Sequence, residues 1–402
     1  MAQGLIPVTE ARARILAALV PTATEPAQLA QAAGRVLAEN VVARRTQPPG
    51  DLSAMDGYAV RAVDVESVPA RLRVVGEAPA GGAYKGVLGE GEAVRIFTGA
   101  AVPQGADTIV IQEDMERYGD IVIARESSVS GRHIRPAGLD FAEGATGLLA
   151  GRPLSPADIA LAAAMNVPTL SVRKRPRIAF FSTGDELVRP GAPIGPNQIV
   201  SANNDGLAAL IATAGGIPLD LGIAPDSNEA IRATAREAAD ADMLVTLGGA
   251  SVGDHDLVQS ALAEDGLDID FWRIAMRPGK PLMFGRYGRV PMLGLPGNPV
   301  SALVCAVLFL VPAISKLQGS DVTTPRTTLA RLGRSLPEND RREDYLRARL
   351  DHVPGDLPVA TPFEKQDSSM LSLLSAADGL LVRPAGAPAA EAGQIVEILP
   401  LR

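Results

Sequence analysis

Between residues 178 and 317 the sequence alternates short apolar runs with helical stretches, and this alternation most constrains what the chain can fold into. Strand-like runs occupy 178–182, 219–223, 243–247, 269–274 and 291–295. Helical spacing fills 204–213, 229–239 and 255–263, and a last helix is expected over 300–317. Strands joined through helices by short connections run parallel, and a parallel sheet needs cover on both faces. The expectation is a three-layer α/β domain with a mostly parallel sheet. Ligands of such sheets sit outside the carboxyl ends of the strands.

The flanking sequence has a different texture. Helical spacing marks 8–19 and 27–39, with Pro21 and Pro26 between them, and helix returns at 156–165. From residue 47 onward, β-prone runs at 72–75, 93–96, 108–112 and 121–124 are separated by Gly and Pro. Further β-like runs stand at 329–331, 345–350 and 396–399. A chain of 402 residues is too long for one ordinary core. The fold class expected is therefore multidomain α/β plus β. A helical N-terminal linking domain spans 5–45 and 141–172 and carries a β-rich inserted domain over 46–140. The α/β domain covers 173–321 and a C-terminal β domain 322–402.

Composition excludes several functions. The formal net charge of −8 argues against a nucleic-acid binder, which needs a basic surface. Cys305 is the single cysteine, and His133, His255 and His352 are far apart, so neither an internal disulfide nor a Cys/His zinc site is expected. A metal here would take oxygen ligands. Residues 1–20 lack a signal-peptide core, and the apolar run 300–314 is shorter than a membrane span, so a cytoplasmic protein without membrane contact is expected.

Three segments carry chemistry. Leu247-Gly-Gly-Ala-Ser-Val-Gly-Asp-His-Asp256 follows a strand and opens a helix. Gly248, Gly249 and Gly253 allow tight turns and close approach, and a helix N-terminus offers free N–H groups to a phosphate. Arg277-Pro-Gly-Lys280-Pro places two cations around a rigid bend, where both can meet one oxyanion. Gly294-Leu-Pro-Gly-Asn-Pro-Val-Ser301 again joins strand to helix, with Asn298 and Ser301 as polar groups near the helix start. Asp185, Glu186, Asp226 and Asp256 stand near strand ends, where carboxylates beside phosphates suit Mg²⁺. Each segment alone also reads as an ordinary turn or cap.

Together with Ser53–Val60, residues 91–101, Ser182–Leu187 and Gln366–Leu371, these segments resemble the molybdopterin molybdenumtransferase family, which includes MoeA and the gephyrin E domain. The resemblance implies an elongated homodimer of four-domain chains. It implies a cleft between the third domain and the fourth, with the second contributed by the partner subunit. The implied substrates are adenylylated molybdopterin and molybdate, with AMP released and Mg²⁺ assisting. It implies catalytic roles for Asp56, Thr98, Glu186, Asp226, Asp256 and Lys280, with Asp185 joining Glu186, Asp226 and Asp256 at the metal. Substrate contacts implied are Gly248, Gly249, Ser251, Gly253, Arg277, Lys280, Pro296, Asn298, Pro299, Ser301, Arg342 and Ser368. Arg277 stands where Lys is common, and either Ser368 or Ser369 matches the family serine. Molybdopterin adenylylation and a non-catalytic molybdopterin-binding scaffold are the alternatives.

Overall fold

The computed structural model describes residues 5–248 and 257–401. Its central sheet has the strand order Ile217–Ala224, Arg177–Thr183, Met243–Leu247, Val290–Leu295, Met283–Tyr287, Leu267–Trp272. The first four run parallel, and Met283–Tyr287 is antiparallel to both of its neighbours. Side-chain alternation along each strand feeds two cores. Ile178 and Phe180 pack with the helix Asn203–Thr213 and the long apolar helix. Ala179 and Phe181 pack with the helices Asn228–Arg236 and Leu257–Ala263 on the other face.

The strand Met283–Tyr287 was not expected from the sequence. It forms a hairpin with Val290–Leu295 across Gly288-Arg289, and Gly288 has φ +56°. A two-residue loop opening with Gly is a hairpin signature, and Gly288-Arg289 carries it.

The last helical stretch also departs from expectation. It runs as Pro299–Cys305, a π turn over Ala306–Leu310, and Val311–Leu317. Pro312 has no N–H to donate and crowds the carbonyl of Leu308, which accounts for the widened turn just before it. At 19 residues and mean hydropathy 2.2 the whole stretch is long and apolar enough to cross a membrane, so the length argument from the sequence fails. Its burial among Val8, Ile15, Phe180, Leu207 and Leu293 makes it a core helix.

The helix expected over 27–39 is largely absent. Only Leu29–Ala32 is helical, and Thr24–Gln28 is a strand paired with Thr169–Arg173. Gly34, at φ +74°, ends the helical run and donates its N–H to the Leu154 carbonyl. A second ladder joins Val41–Val42 to Thr146–Leu148, so strands interleave with helices through the N-terminal region. The helix Val8–Ala17 buries Val8, Ala11 and Ile15 in the core of the central sheet.

The β-rich module is a six-stranded sheet ordered Thr108–Ile111, Gly57–Val60, Glu92–Ile96, Ala70–Ala78, Ile121–Ala124, Met115–Tyr118. Near the C-terminus, Glu343–Asp351, Val359–Pro362, Thr328–Leu332, Ile395–Pro400 and Gly379–Arg383 close into a five-stranded barrel. Met276–Arg277 adds to its edge by pairing with Glu343 and Asp344, so the cationic bend is tied to the barrel by backbone hydrogen bonds.

Candidate functional site

Four parallel strands end at one cleft of about 940 Å³. Thr183, Asp226, Leu247 and Pro296 each lie at or just past a strand's carboxyl end, and all line it. This is the crevice that parallel-sheet topology predicts. Gly184, Glu186, Asn203, Gly248, Asn298, Pro299 and Pro281 also contribute, and Ser369 and Leu371 reach in from the segment beside the barrel. Apolar Leu187, Ile199, Val200 and Leu257 complete the wall.

Gly248 holds two loops together. Its φ is +93°, its N–H donates to the Leu295 carbonyl at 3.1 Å, and a Cβ there would lie 3.3 Å from Thr183 Oγ1. Gly297 stacks against it, with an added Cβ 3.6 Å from the Gly248 Cα. Gly249, Ser251, Gly253 and Asp256 lie outside the described residues.

The carboxylates gather as the strand ends require. Asp185 Oδ1 accepts the Asp226 N–H at 3.1 Å, and the Glu186 carboxylate folds over Gly184, where a Cβ would lie 2.5 Å from it. Among the described residues no set of three His, Cys, Asp or Glu is spaced to hold a metal by itself. Mg²⁺ commonly takes one or two carboxylates and fills its shell with substrate oxygens and water, and both Glu186 and Asp226 line the cleft.

The cations behave differently from each other. Lys280 is half-buried, follows the left-handed Gly279 and precedes the cleft residue Pro281. Among the described residues its ammonium has no ion pair or side-chain hydrogen bond. Arg277 departs from the expectation of two free cations converging on one anion. Its guanidinium is forked onto Asp344, with Nε 2.8 Å and Nη2 2.5 Å from the two carboxylate oxygens. That pairing follows from the strand contact between Met276–Arg277 and the barrel. Arg342 is held by Asp340 at 3.0 Å.

Asn298 starts the helix Pro299–Cys305 without a side-chain cap bond, so its amide remains available to the cleft. Ser301 is buried in that helix and does not line the cleft. Ser368 contributes its carbonyl to the Val300 N–H at 3.1 Å, and it is Ser369 that lines the cleft.

Asp56 and Thr98 form their own unit on the β-rich module. Asp56 Oδ1 accepts both the Thr98 N–H and the Thr98 hydroxyl at 2.7 Å. Arg95 lies over the rings of Tyr58 and Phe97 close by. The Thr98 N–H, followed by its hydroxyl, holds the Asp56 carboxyl below the usual range. A carboxyl lowered in the folded state stabilises above its unfolded pKa, and that contribution is lost as pH falls through the folded value. Thr98→Val keeps the N–H and removes the hydroxyl. The Asp56 carboxyl, followed by carbon NMR, is expected to titrate at higher pH in that variant, and an unchanged midpoint would contradict the assignment. No residue of 46–140 lines the cleft within one chain.

Sequence reasoning missed the support beneath the cleft. Asn204 is fully buried and accepts from the Ser182 hydroxyl at 2.5 Å and the Ser201 hydroxyl at 2.9 Å. Its amide donates to Asp220 at 3.0 Å and to the Gly222 carbonyl at 3.2 Å. Asn203 donates to the Gly297 carbonyl at 2.8 Å, tying the helix start to the Pro296–Pro299 loop. The polar cluster ahead of this helix was the available signal, and it reads as simple capping chemistry. Asn204→Ala strands several buried polar groups and is expected to cost about 2–3 kcal/mol. Chemical denaturation checks this, and a loss below about 0.5 kcal/mol would show that the network carries no weight.

Known proteins share this architecture. Residues 6–166 match the family model described as "MoeA N-terminal region (domain I and II)". Residues 179–316 match the "Probable molybdopterin binding domain", and 329–401 the "MoeA C-terminal region (domain IV)". The chain is 38% identical to a molybdopterin molybdenumtransferase of Nostoc sp., covering 94% of this chain and 89% of that one. A molybdopterin molybdenumtransferase of Bacillus subtilis is 31% identical, with 99% and 94% covered. The crystal structure of a molybdopterin biosynthesis MoeA protein from Pyrococcus horikoshii superposes with a TM-score of 0.86 at 28% identity, covering 98% of this chain and 99% of that one. With relatives this similar along nearly its whole length, the chain belongs to the MoeA family of molybdopterin molybdenumtransferases.

Proposed function

We propose that the protein transfers molybdenum from molybdate to adenylylated molybdopterin and releases AMP, acting as a cytoplasmic homodimer with Mg²⁺. The observation that carries this reading is a cleft at four strand ends with the half-buried Lys280 next to its lining residue Pro281, the Lys280 ammonium having no ion pair among the described residues. The cleft's apolar wall at Leu187, Ile199 and Val200 suits the face of a pterin, and its glycine loops suit phosphates. Lys280 holds molybdate by charge next to the dithiolene, and fixing the two reactants together supplies much of the acceleration. Asn298 orients the substrate by hydrogen bonding. Glu186 and Asp226 would hold Mg²⁺, which neutralises charge on the phosphoanhydride when bound. The partner subunit's β-rich module would complete the cleft with Asp56 and Thr98, in keeping with their absence from its lining within one chain.

The test is to incubate the purified protein with adenylylated molybdopterin and Mg²⁺ and to follow AMP with and without molybdate. AMP release that depends on molybdate is the expected result. ATP consumption with plain molybdopterin would point to adenylylation instead, and tight binding without turnover to a scaffold.

A further inference from the structure

One wall of the cleft is a flap that leaves the central sheet after Thr183 and returns at Ser201. Leu187–Val188 pairs in parallel with Ile199–Val200, and the loop 189–198 between them is stiffened by Pro190, Pro193 and Pro196. Leu187, Ile199 and Val200 line the cleft. Burial does not hold them there, since Ile199 is 58% exposed and none of the three joins a hydrophobic core of the described residues. An ion pair does. Arg189 follows the first strand of the flap and donates from Nη1 to Asp220 Oδ2 at 2.5 Å. Among the described residues this is the only side-chain hydrogen bond from 187–200 to a distant part of the chain. Asp220 lies on the edge strand Ile217–Ala224, where that strand carries one residue more than its neighbour: Phe180 pairs with Asp220 and Ser182 with Ile223. Its other oxygen, Oδ1, accepts the Gly222 N–H at 2.9 Å and the Asn204 amide at 3.0 Å. Gly222 has φ +101°, and a Cβ there would lie 3.9 Å from Arg189 Nη2, so the guanidinium rests over this irregularity. One carboxylate therefore joins the flap to the buried network beneath the cleft.

We propose that Arg189 is a positioning residue for adenylylated molybdopterin: its pair with Asp220 holds the flap so that Leu187, Ile199 and Val200 stand as a wall against the pterin ring. This role rests on the functional reading given above. Arg189 does not line the cleft itself and acts only through the wall it anchors. Contacts along an apolar face are made alike in the ground state and the transition state, so loosening them raises KM and leaves turnover at saturation nearly unchanged. The apparent affinity falls with the fraction of molecules whose wall is in place. The side chains of Arg189 and Asp220 are 40% and 30% exposed, and a pair so exposed contributes little to folding, so the melting temperature scarcely moves.

Arg189→Gln tests this by removing the charge and keeping a polar side chain. Calorimetric titration of the full chain with adenylylated molybdopterin, without Mg²⁺ or molybdate, is expected to show about 3- to 5-fold weaker binding than in the wild type. With Mg²⁺ and molybdate added, KM rises by the same factor while kcat stays within about 2-fold. Arg189→Lys keeps the charge and recovers most of the affinity. Asp220→Asn keeps an acceptor for Gly222 and Asn204, weakens binding as Arg189→Gln does, and the double variant is no weaker than either single one. If Asp220→Asn unfolds, the contrast between Arg189→Gln and Arg189→Lys decides by the same criteria. Unchanged affinity in Arg189→Gln would overturn the proposal, as would a fall in kcat at unchanged KM or a failure of Arg189→Lys to recover. A wild type without molybdate-dependent AMP release would sink the functional reading, and this role with it. A wild type that turns over beside an Arg189→Gln protein of equal KM would sink only the role of Arg189.

Discussion

Lys280→Ala lowers the rate of molybdate-dependent AMP release by about 100-fold or more, the scale expected when a preorganised charged donor is removed from a transition state. The melting temperature stays near that of the wild type, because among the described residues the ammonium anchors nothing else. The contrast with Arg277 sharpens the expectation. Arg277 is bound to Asp344 and so contributes to domain contact as well as charge. Its replacement disturbs both stability and turnover, whereas that of Lys280 disturbs turnover alone. Lys280→Arg keeps the charge but presents a flat fork in place of a compact ammonium, and recovers part of the rate. Full activity in Lys280→Ala would remove the lysine from the mechanism.

Gly279→Ala is expected to destabilise the fold by about 3 kcal/mol. Gly279 has φ +110°, where an L side chain is strained by about 1–2 kcal/mol. The added Cβ would also stand 2.4 Å from Cys305 Sγ, and overpacking a filled interior costs about 1–3 kcal/mol more. Cys305 is fully buried at the end of the helix Pro299–Cys305, so neither partner moves freely. Burial also pushes the Cys305 thiol pKa up, so it remains a neutral packing group. The double variant Gly279→Ala/Cys305→Ala regains the steric part and keeps the backbone part. Denaturant midpoints measure both terms. Equal losses in the single and double variants would show that the sulfur contact carries no strain. Because Gly279 sets the path into Lys280, the single variant is also expected to lose activity beyond its loss of stability.

The sequence made the central sheet legible for a physical reason. Its inner strands are buried on both faces, so 178–182 and 243–247 stand out as uninterrupted apolar runs. The positions of Glu186, Asp226, Gly248 and Asn298 at one crevice then follow from the strand-end rule alone. Contacts between distant segments were not legible. Periodicity carries no information on the bidentate hold of Asp344 on Arg277, 67 residues apart, or on the convergence of Arg277 and Arg342 at Asp340. The strand Thr24–Gln28 was hidden because its partner, Thr169–Arg173, lies at the far side of the inserted module. Ser369 displaced Ser368 at the cleft because a turn of one residue decides which serine faces inward, and local composition is the same for both.

Diffraction from molybdate-soaked crystals at the molybdenum absorption edge tests the account at its centre, since the anomalous signal reports the metal's position directly. A molybdenum peak within contact of the Lys280 ammonium is the predicted result. A peak only in the separate cavity lined by Arg12, Tyr345 and Glu397, with Lys280 left uncontacted, would contradict it.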